Sequence, residues 1–243
     1  MSYIDIPTTE LDAYSADQVL EWTLNQFGDR CAIASSFGVE DVALIHMAAA
    51  IKPNVRVFCL DTGRLHQQTY DLMDRIRNRY GVSIEVMMPN STDVETMVHQ
   101  HGVNLFYDSI ELRKRCCDVR KVRPLRRILS NLDAWVTGIR RAQNVSRASI
   151  PKLQVDHANG GLVKANPLAE WSAEQVWDYV RENKIPYNPL HDNGFPSIGC
   201  EPCTRPVEDG DDARSGRWWW EHAEMRECGL HTGESKVENG IDV

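Results

Sequence analysis

Residues 31–41 read Cys-Ala-Ile-Ala-Ser-Ser-Phe-Gly-Val-Glu-Asp, and this stretch decides the predicted fold. The short apolar run at its start predicts a buried strand, the Ser-Ser-Phe-Gly segment a turn, and the apolar residues 42–51 a helix. In a parallel sheet such a turn lies at the carboxyl end of a strand, where ligands usually bind. Its hydroxyls and backbone N–H groups suit a phosphate, although any strand-to-helix turn can contain Ser and Gly.

The same alternation of strand and helix continues on both sides of this unit. Further strands are predicted at 55–60, 82–88, 134–138 and 162–165, and helices after Ser15, from about 64 to 80, from Ser91 to about Gln100, after Cys117 and after Ser172. Strands that alternate with helices at this spacing predict an α/β fold, with an open, mostly parallel sheet covered by helices on both faces.

The pattern weakens towards the end of the chain. From Pro186 onward the sequence is rich in Pro, Gly and charge, yet it contains three consecutive tryptophans at 218–220. We expect an ordered, irregular C-terminal arm that lies over the active edge of the sheet. The predicted organisation is therefore an α/β nucleotide-binding domain over residues 1–195 and an arm over residues 196–243.

Composition excludes several classes of protein. The 243 residues are 42% hydrophobic and 26% charged, which is typical of a globular chain and not of a disordered one. Residues 1–15 contain acids but neither a basic nor an apolar segment, so we expect no secretory signal and a cytoplasmic location. The net charge of −8 argues against a nucleic-acid partner, and no apolar run approaches the ~20 residues that would span a membrane.

Basic residues are concentrated in one part of this acidic chain. Residues 113–147 contain eleven basic and two acidic side chains. A solvated basic helix face is one interpretation of this segment. The other is a pocket for a small, multiply charged anion.

Two pairs of cysteines indicate a metal centre. Cys116 and Cys117 are adjacent, and Cys200-Glu-Pro-Cys203 supplies a second pair. Zinc sites usually take Cys-x-x-Cys pairs from both sides, whereas in a [4Fe–4S] cluster each cysteine binds its own iron, which adjacent cysteines can satisfy. A cluster bound by all four cysteines is the better fit, and a vicinal disulfide at 116–117 or a redox dithiol at 200–203 are the alternatives.

The other three cysteines differ in setting. Cys31 and Cys59 fall in predicted strands, where a cysteine usually packs as a small hydrophobe. Cys228 lies near Arg226 and His231, whose charges would favour the nucleophilic thiolate. An idle, exposed tail cysteine is the alternative for Cys228.

Seven segments together resemble the assimilatory adenylyl-sulfate (APS) reductases of the bacterial iron–sulfur type, within the phosphoadenylyl-sulfate reductase family. The resemblance covers nearly the whole chain, although Ile139 stands where the family pattern has Gln. The segments are Ser35-Ser-Phe-Gly-Val-Glu-Asp, Leu60-Asp-Thr-Gly-Arg-Leu-His, Cys116-Cys-Asp-Val-Arg-Lys, Thr137-Gly-Ile-Arg-Arg, Gly199-Cys-Glu-Pro-Cys-Thr-Arg-Pro, Gly216-Arg-Trp-Trp-Trp and Glu227-Cys-Gly-Leu-His.

The resemblance implies an adenine-nucleotide alpha-hydrolase-like fold and a set of substrate contacts. The phosphate of adenylyl sulfate would lie near Ser35 and Ser36, with Thr62 and Gly63 at the nucleoside. Lys121 and several arginines would surround the phosphate and sulfate. The full substrate set is Ser35, Ser36, Gly38, Thr62, Gly63, Arg64, Arg140, Arg141, Arg147, Arg214 and Arg217.

The resemblance also implies a two-step reaction in sulfate assimilation for cysteine biosynthesis. Cys228 would attack the sulfonyl sulfur and release AMP, and thioredoxin would then release sulfite from the S-sulfocysteine. Lys121 and His231 would assist Cys228 as catalytic residues, and the [4Fe–4S] cluster would be structural and electrostatic. The sequence does not decide the oligomeric state, and a homo-oligomer is one of the alternatives.

Three rival functions remain at this point. The first is the same chemistry on phosphoadenylyl sulfate by a phosphoadenylyl-sulfate reductase. The second is a zinc-stabilised nucleotide-binding regulator without turnover. The third is an ATP-dependent sulfur or amide ligase, which would release pyrophosphate.

Overall fold

One six-stranded sheet organises the protein. The computed structural model describes residues 13–143, 147–208 and 210–222. Within these residues the strands follow the order β3-β2-β1-β4-β6-β5. They are β1 (Cys31–Ala34), β2 (Val57–Leu60), β3 (Ile84–Met87), β4 (Ala134–Val136), β5 (Leu153–Asp156) and β6 (Leu162–Ala165).

The pairing of the strands confirms the predicted open, mostly parallel sheet. β1 pairs in parallel with β2 on one side and with β4 on the other. β5 is antiparallel to β6 and forms one edge. Because the chain runs outward from β1 through β2 to β3 and then returns to β4, the carboxyl ends of β1 and β4 form a topological switch point, where ligands of such sheets bind.

Seven α-helices are described along the chain. Ser15 and Ser172 form capping boxes at the helices that they were predicted to start. Asn90, and not the predicted Ser91, caps α4, because its side chain accepts from the Asp93 backbone at 3.2 Å. The helices are α1 (Ala16–Phe27), α2 (Val39–Ile51), α3 (Gln67–Tyr80), α4 (Ser91–His101), α5 (Ile110–Cys117), α6 (Arg123–Leu129) and α7 (Ala173–Glu182).

The helix predicted after Cys117 begins earlier and contains both adjacent cysteines. Ser109 caps α5 by accepting from the backbone of Leu112 at 3.2 Å. A π-helical turn, Asp118–Val122, joins α5 directly to α6. Pro124 has no N–H to donate and its ring crowds the carbonyl four residues before it, so a regular α-helix cannot pass through this point unchanged. The wide turn carries Lys121.

Helices cover both faces of the sheet. On one face, α1, α2, α3 and α7 bury apolar side chains such as Leu20, Leu44 and Val176 against the strands. On the other face, Leu125, Ile128 and Leu129 of α6 pack on Phe58 and Trp135. In parallel sheets buried on both faces the strands are continuously apolar, which is why β1, β2 and β4 could be predicted from composition.

β5 was not predicted because Leu-Gln-Val-Asp has no apolar run: it is an edge strand buried only at its two ends, Leu153 and Asp156. The described part of the arm, from residue 196 to 222, consists mainly of short turns and bends. One isolated bridge, Leu65 to Cys200, connects it to the rest of the fold, and a second, Thr204 to Arg217, lies within the arm. Within the described residues, no helix combines the length and the apolar character that crossing a membrane requires.

Candidate functional site

A crevice of about 530 Å³ lies at the switch point of the sheet. Residues that follow β1 and β4 form its floor, and the arm contributes one wall. The crevice is within the size range of small-molecule sites. Of the predicted substrate and catalytic residues, those that line it are Ser35, Ser36, Gly38, Lys121, Arg140, Arg147, Arg214 and Arg217.

The loop after β1 holds an internal carboxylate. Asp41 Oδ2 accepts hydrogen bonds from the Ser36 backbone N–H at 2.6 Å, the Ser36 hydroxyl at 2.8 Å and the Gly38 N–H at 3.4 Å. These donors at the start of a helix are those that commonly hold a phosphate oxygen. Burial raises the pKa of Asp41 to about 6, against the lowering effect of the Ser36 hydrogen bonds.

A second set of polar residues follows β4. Arg140 is almost buried and donates to Glu40 Oε1 at 2.9 Å and to the backbone oxygen of Trp171 at 3.2 Å. Gln143 donates to the same Glu40 oxygen at 3.0 Å and accepts from Arg147 at 2.8 Å. Arg140 and Arg147 therefore reach the crevice as parts of a network around Glu40.

Gly138 allows the loop after β4 to approach the loop after β1. A Cβ atom at Gly138 would lie 2.6 Å from Asp41 Oδ1 and 2.9 Å from Glu40 Cβ. Real side chains do not approach so closely, so only glycine fits here. This contact fixes the width of the crevice floor.

The arm brings two further arginines to the crevice. Arg214 and Arg217 both line it, and Arg217 is buried and donates to the Ser197 hydroxyl at 3.3 Å. The Arg217 guanidinium lies directly against Gly199, where a Cβ atom would clash with it. Since Gly199 precedes Cys200, Arg217 is placed between the crevice and the second cysteine pair.

The four cysteines of the two predicted pairs line one small cavity beside the crevice. Cys116 and Cys117 enter it from the end of α5, and Cys200 and Cys203 from the arm. The cavity is also lined by Arg64, Phe106, Arg113, Arg120, Lys121, Pro202, Arg217 and Trp218. None of the six cysteines that the structure describes is disulfide-bonded, so the vicinal disulfide and the oxidised dithiol are absent there.

Burial and nearby cations affect these thiols differently. Burial raises the pKa of Cys116, and it raises the pKa of Cys203 to about 12. Burial also acts on Cys200, but the Lys121 cation and the Thr62 hydroxyl, 3.3 Å from its sulfur, outweigh it and the pKa is lowered. The side of the cavity next to Lys121 thus favours a thiolate.

Buried hydrogen-bond donors surround the cysteines. Among the described residues, the Nε atom of Arg120 and the indole nitrogen of Trp218 are buried and have no hydrogen-bond partner. Both residues line the cysteine cavity. Buried donors of this kind are costly unless an acceptor is supplied, so the cavity fits a group that carries sulfur or other acceptor atoms.

A single metal ion has no site of the usual kind here. Within the described part of the chain, no group of three or more His, Cys, Asp or Glu side chains surrounds one point closely enough to bind an ion. A cluster places fewer demands on the thiols, because each binds a different iron.

Lys121 connects the two spaces. It lines both the crevice and the cysteine cavity, as do Arg217 and Trp218. The π-helical turn re-aims Lys121 away from the regular helical position, and such turns are frequent at functional sites.

Four predicted substrate residues do not line the crevice. The Thr62 hydroxyl contacts the Cys200 sulfur, and the Gly63 N–H donates to Asp61 at 2.7 Å. Arg64 lines the cysteine cavity and donates to the backbone oxygen of Val103 at 2.8 Å. Arg141 donates to Glu170 at 3.0 Å and to the Ile150 backbone. Thr62 and Arg64 therefore belong to the cysteine side of the site.

Two predicted catalytic residues, Cys228 and His231, lie outside the described residues. Sequence reasoning in turn missed the carboxylates of Glu40 and Asp41 and the guanidinium of Arg120 as parts of the site. Arg120 lies three residues after Cys117 and donates to the Thr62 backbone oxygen at 2.6 Å. The signals for it were its place in the basic segment and in the segment Cys116-Cys-Asp-Val-Arg-Lys.

The fold and the site define a class of protein: an α/β nucleotide-binding enzyme with a cationic crevice beside a four-cysteine cavity. Residues 30–206 match the phosphoadenosine phosphosulfate reductase domain. A protein of Burkholderia cepacia named adenosine 5′-phosphosulfate reductase is 48% identical over 215 residues, covering 87% of this chain and 86% of that one. The chain belongs to the phosphoadenosine phosphosulfate reductase family.

Solved structures agree with this assignment. The phosphoadenylyl-sulfate reductase of Candida auris, crystallised with phosphate, has a TM-score of 0.72 and 27% identity, with 85% of this chain and 99% of that chain covered. Yeast FAD synthetase has a TM-score of 0.54 at 14% identity, covering 84% of this chain and 70% of that chain, which shows a shared fold only. Both agree with the predicted adenine-nucleotide alpha-hydrolase-like fold.

Proposed function

We propose that this protein reduces adenylyl sulfate to sulfite and AMP in sulfate assimilation, with reduced thioredoxin as electron donor. The observation that carries the proposal is that Lys121 and Arg217 line both the crevice and the cysteine cavity. A crevice at the switch point suits the nucleotide, and the cations between the two spaces suit a sulfate ester. The names of the bacterial relatives agree with this reaction.

Cations are needed because the nucleophile and the substrate repel each other. Adenylyl sulfate carries negative charge on phosphate and sulfate, and a thiolate must approach the sulfate. Lys121, Arg214 and Arg217 would stabilise the charge that develops as the sulfur–oxygen bond to AMP breaks. Arg147, which lines the same crevice, adds a cation on the far side.

The reaction balances in two transfers. The Cys228 thiolate attacks the sulfonyl sulfur, so that a sulfur–sulfur bond forms, the sulfur–oxygen bond breaks and AMP leaves with its electron pair. One thiol of thioredoxin then attacks the Cys228 sulfur and expels sulfite, and its second thiol restores the Cys228 thiolate. The dithiol becomes a disulfide and supplies both electrons. His231 would assist Cys228 when the tail covers the substrate.

The cysteine cavity would hold a [4Fe–4S] cluster through Cys116, Cys117, Cys200 and Cys203. The cluster would join the arm to α5 and contribute its charge to the field around Lys121. The buried donors of Arg120 and Trp218 would find acceptors in its sulfur atoms. Because burial raises the pKa of Cys116 and Cys203, binding of the irons would release protons from these thiols.

The names of the bacterial relatives favour adenylyl sulfate over its 3′-phosphorylated form and over ATP. The Asp41 carboxylate occupies the anion-holding donors of the loop after β1. A substrate phosphate near Ser35 and Ser36 therefore requires these donors to turn from Asp41 to the phosphate. A phosphoadenylyl-sulfate reductase would instead show higher kcat/KM with the 3′-phosphorylated nucleotide, and a ligase would release pyrophosphate from ATP.

The test is a single-turnover experiment on the loaded protein. Without any thiol, adenylyl sulfate should release one AMP per site and then stop, leaving a sulfonate of about 80 Da on Cys228. Reduced thioredoxin should then release sulfite. Cys228→Ser should give no AMP burst, whereas Cys31→Ser, in β1, should retain it. An AMP burst in the Cys228→Ser protein would show that another residue is the nucleophile. Zinc in place of iron in the purified protein would contradict the [4Fe–4S] cluster.

A further inference from the structure

Arg113 and Glu221 form a buried ion pair between α5 and the end of the described arm. Their side chains are 1% and 2% exposed. Arg113 Nε donates to Glu221 Oε1 at 2.8 Å, and Nη2 donates to Oε2 at 2.7 Å. This two-point geometry fixes both the distance and the orientation of the two elements.

Arg113 also faces the cysteine cavity. Its guanidinium contacts the Cys117 sulfur and lies 4.8 Å from the ring centre of Trp218. One side chain thus touches a cysteine of the first pair and both Trp218 and Glu221 of the arm.

On the arm, residues 217–221 form a tight turn that reaches the second cysteine pair. The Trp218 N–H donates to the Cys203 oxygen at 3.2 Å, and the Glu221 N–H donates to the Trp218 oxygen at 2.8 Å. Arg217 lies against the same Trp218 ring at 4.9 Å. Trp218 has a φ of 44°, a strained value for a bulky residue that persists only where the surroundings enforce it.

We infer that Arg113 and Glu221 are positioning residues for sulfonyl transfer: their ion pair holds turn 217–221 in register with the cysteine pair of α5. The turn places Arg217 in the crevice and precedes Cys228 in the chain. Seven residues further on, Cys228 can lie at most about 25 Å from Glu221, so a shift of the turn changes where the tail starts. This inference rests on the proposed function.

A buried ion pair is weak support for stability as such, because apolar residues can often replace it without loss. Apolar side chains cannot, however, reproduce the two hydrogen bonds that fix turn 217–221 relative to α5. The positioning role can therefore be tested with variants that lose these two hydrogen bonds but still fold.

The first variant is Glu221→Gln, which keeps the size of the side chain but removes its charge. We expect the AMP burst to slow by about ten- to a hundredfold, since small misplacements of reacting groups cost this much. The iron content should not change, because no cysteine is altered. The dissociation constant of AMP should change less than the burst rate, because neither residue lines the crevice and Arg217, which the turn carries, is one of several cations there. Trypsin should cleave faster after Arg217, which is buried on the turn in the wild type, and this reports the turn independently of activity.

Arg56 and Glu85, whose side chains are partly exposed, provide a control of the same hydrogen-bond geometry away from the site. They form the same two-point pair, at 2.7 and 3.0 Å, between β2 and the neighbouring edge strand β3. Glu85→Gln should leave the burst and the tryptic rate as in the wild type. A wild-type burst in folded, iron-loaded Glu221→Gln overturns the inference, while no burst in the wild type contradicts the proposed function itself.

A second variant covers the case in which Glu221→Gln does not fold. Arg113→Met with Glu221→Met replaces the pair by apolar side chains of similar length, without an unpaired charge. A folded, iron-loaded protein with a slowed burst supports the positioning role. A burst at the wild-type rate overturns it, and so does a failure of both variants to fold, which would make the pair an element of stability.

Discussion

Lys121 shows how much can depend on the direction of one side chain. It lines both spaces of the site, and its cation lowers the pKa of Cys200. Lys121→Ala should reduce the rate of the AMP burst by about 10²–10³-fold, as loss of one preorganised charge commonly does.

The iron content of Lys121→Ala should stay that of the wild type, because no cysteine is removed. Lys114→Ala is the control, since Lys114 lies exposed on α5 of the same basic segment. Equal burst rates in the two variants would show that Lys121 belongs to a solvated face, the alternative that the sequence left open.

Asp41 gives the protein a specific dependence on pH. Its folded-state pKa of about 6 lies above the ordinary value of 3.8. Between these values the folded chain keeps a proton that the unfolded chain has lost, so the free energy of unfolding should fall as the pH rises from about 4 to 6, by about 3 kcal/mol in total. Above pH 6 Asp41 is ionised in both the folded and the unfolded chain, so its titration no longer changes the free energy of unfolding.

Asp41→Asn should remove that slope, because the amide does not titrate. Urea unfolding at several pH values between 4 and 7 measures the slope in each protein. Asp71→Asn, at an exposed position of α3, should keep it. A slope unchanged by Asp41→Asn would mean that the carboxylate is ionised throughout this range.

At the scale of elements, two loops must touch for the crevice to exist. Gly138→Ala would place a methyl group 2.6 Å from Asp41 Oδ1, and the crowding should destabilise the fold by about 1–3 kcal/mol and weaken AMP binding. Gly38→Ala is a steric control for stability, since its Cβ would meet only ordinary contacts of 3.6 Å or more. Thermal unfolding of both variants decides the point, and equal losses would show that the Gly138 contact is not limiting.

The strands and helices could largely be predicted because their signals are local. Apolar runs predicted β1, β2 and β4, and Ser-x-x-Gln patterns predicted the starts of α1 and α7. The π-helical turn could not be predicted, because it depends on how Pro124 is accommodated within a continuous helix. The sequence shows that Thr62 follows a strand, but not whether its side chain faces the crevice or the cysteine cavity. Thr62 was therefore predicted at the nucleoside, whereas its hydroxyl contacts the Cys200 sulfur.

At the scale of the molecule, the cysteine cavity joins the middle of the described chain to its C-terminal arm. Cys116 and Cys117 belong to the α/β sheet domain, while Cys200 and Cys203 precede the turn that Glu221 closes. The sequence could pair these cysteines by their chemistry. It could not show that the arm reaches α5 through an Arg–Glu contact spanning 108 positions.

A cluster in this cavity would therefore contribute to folding as well as to catalysis. Changing Cys116, Cys117, Cys200 or Cys203 to Ser should lower the iron content and the melting temperature together, because the free energy of ligation is also free energy of folding. Cys59→Ser is the control: burial among apolar residues raises the pKa of Cys59 to about 12, and it lies in β2, so iron should be retained even if stability falls. Iron assay and thermal unfolding on the same samples make the comparison. If all four ligand variants keep full iron content, the irons are bound elsewhere. A loss of iron without a fall in melting temperature would show that the arm is held by Arg113 and Glu221 alone.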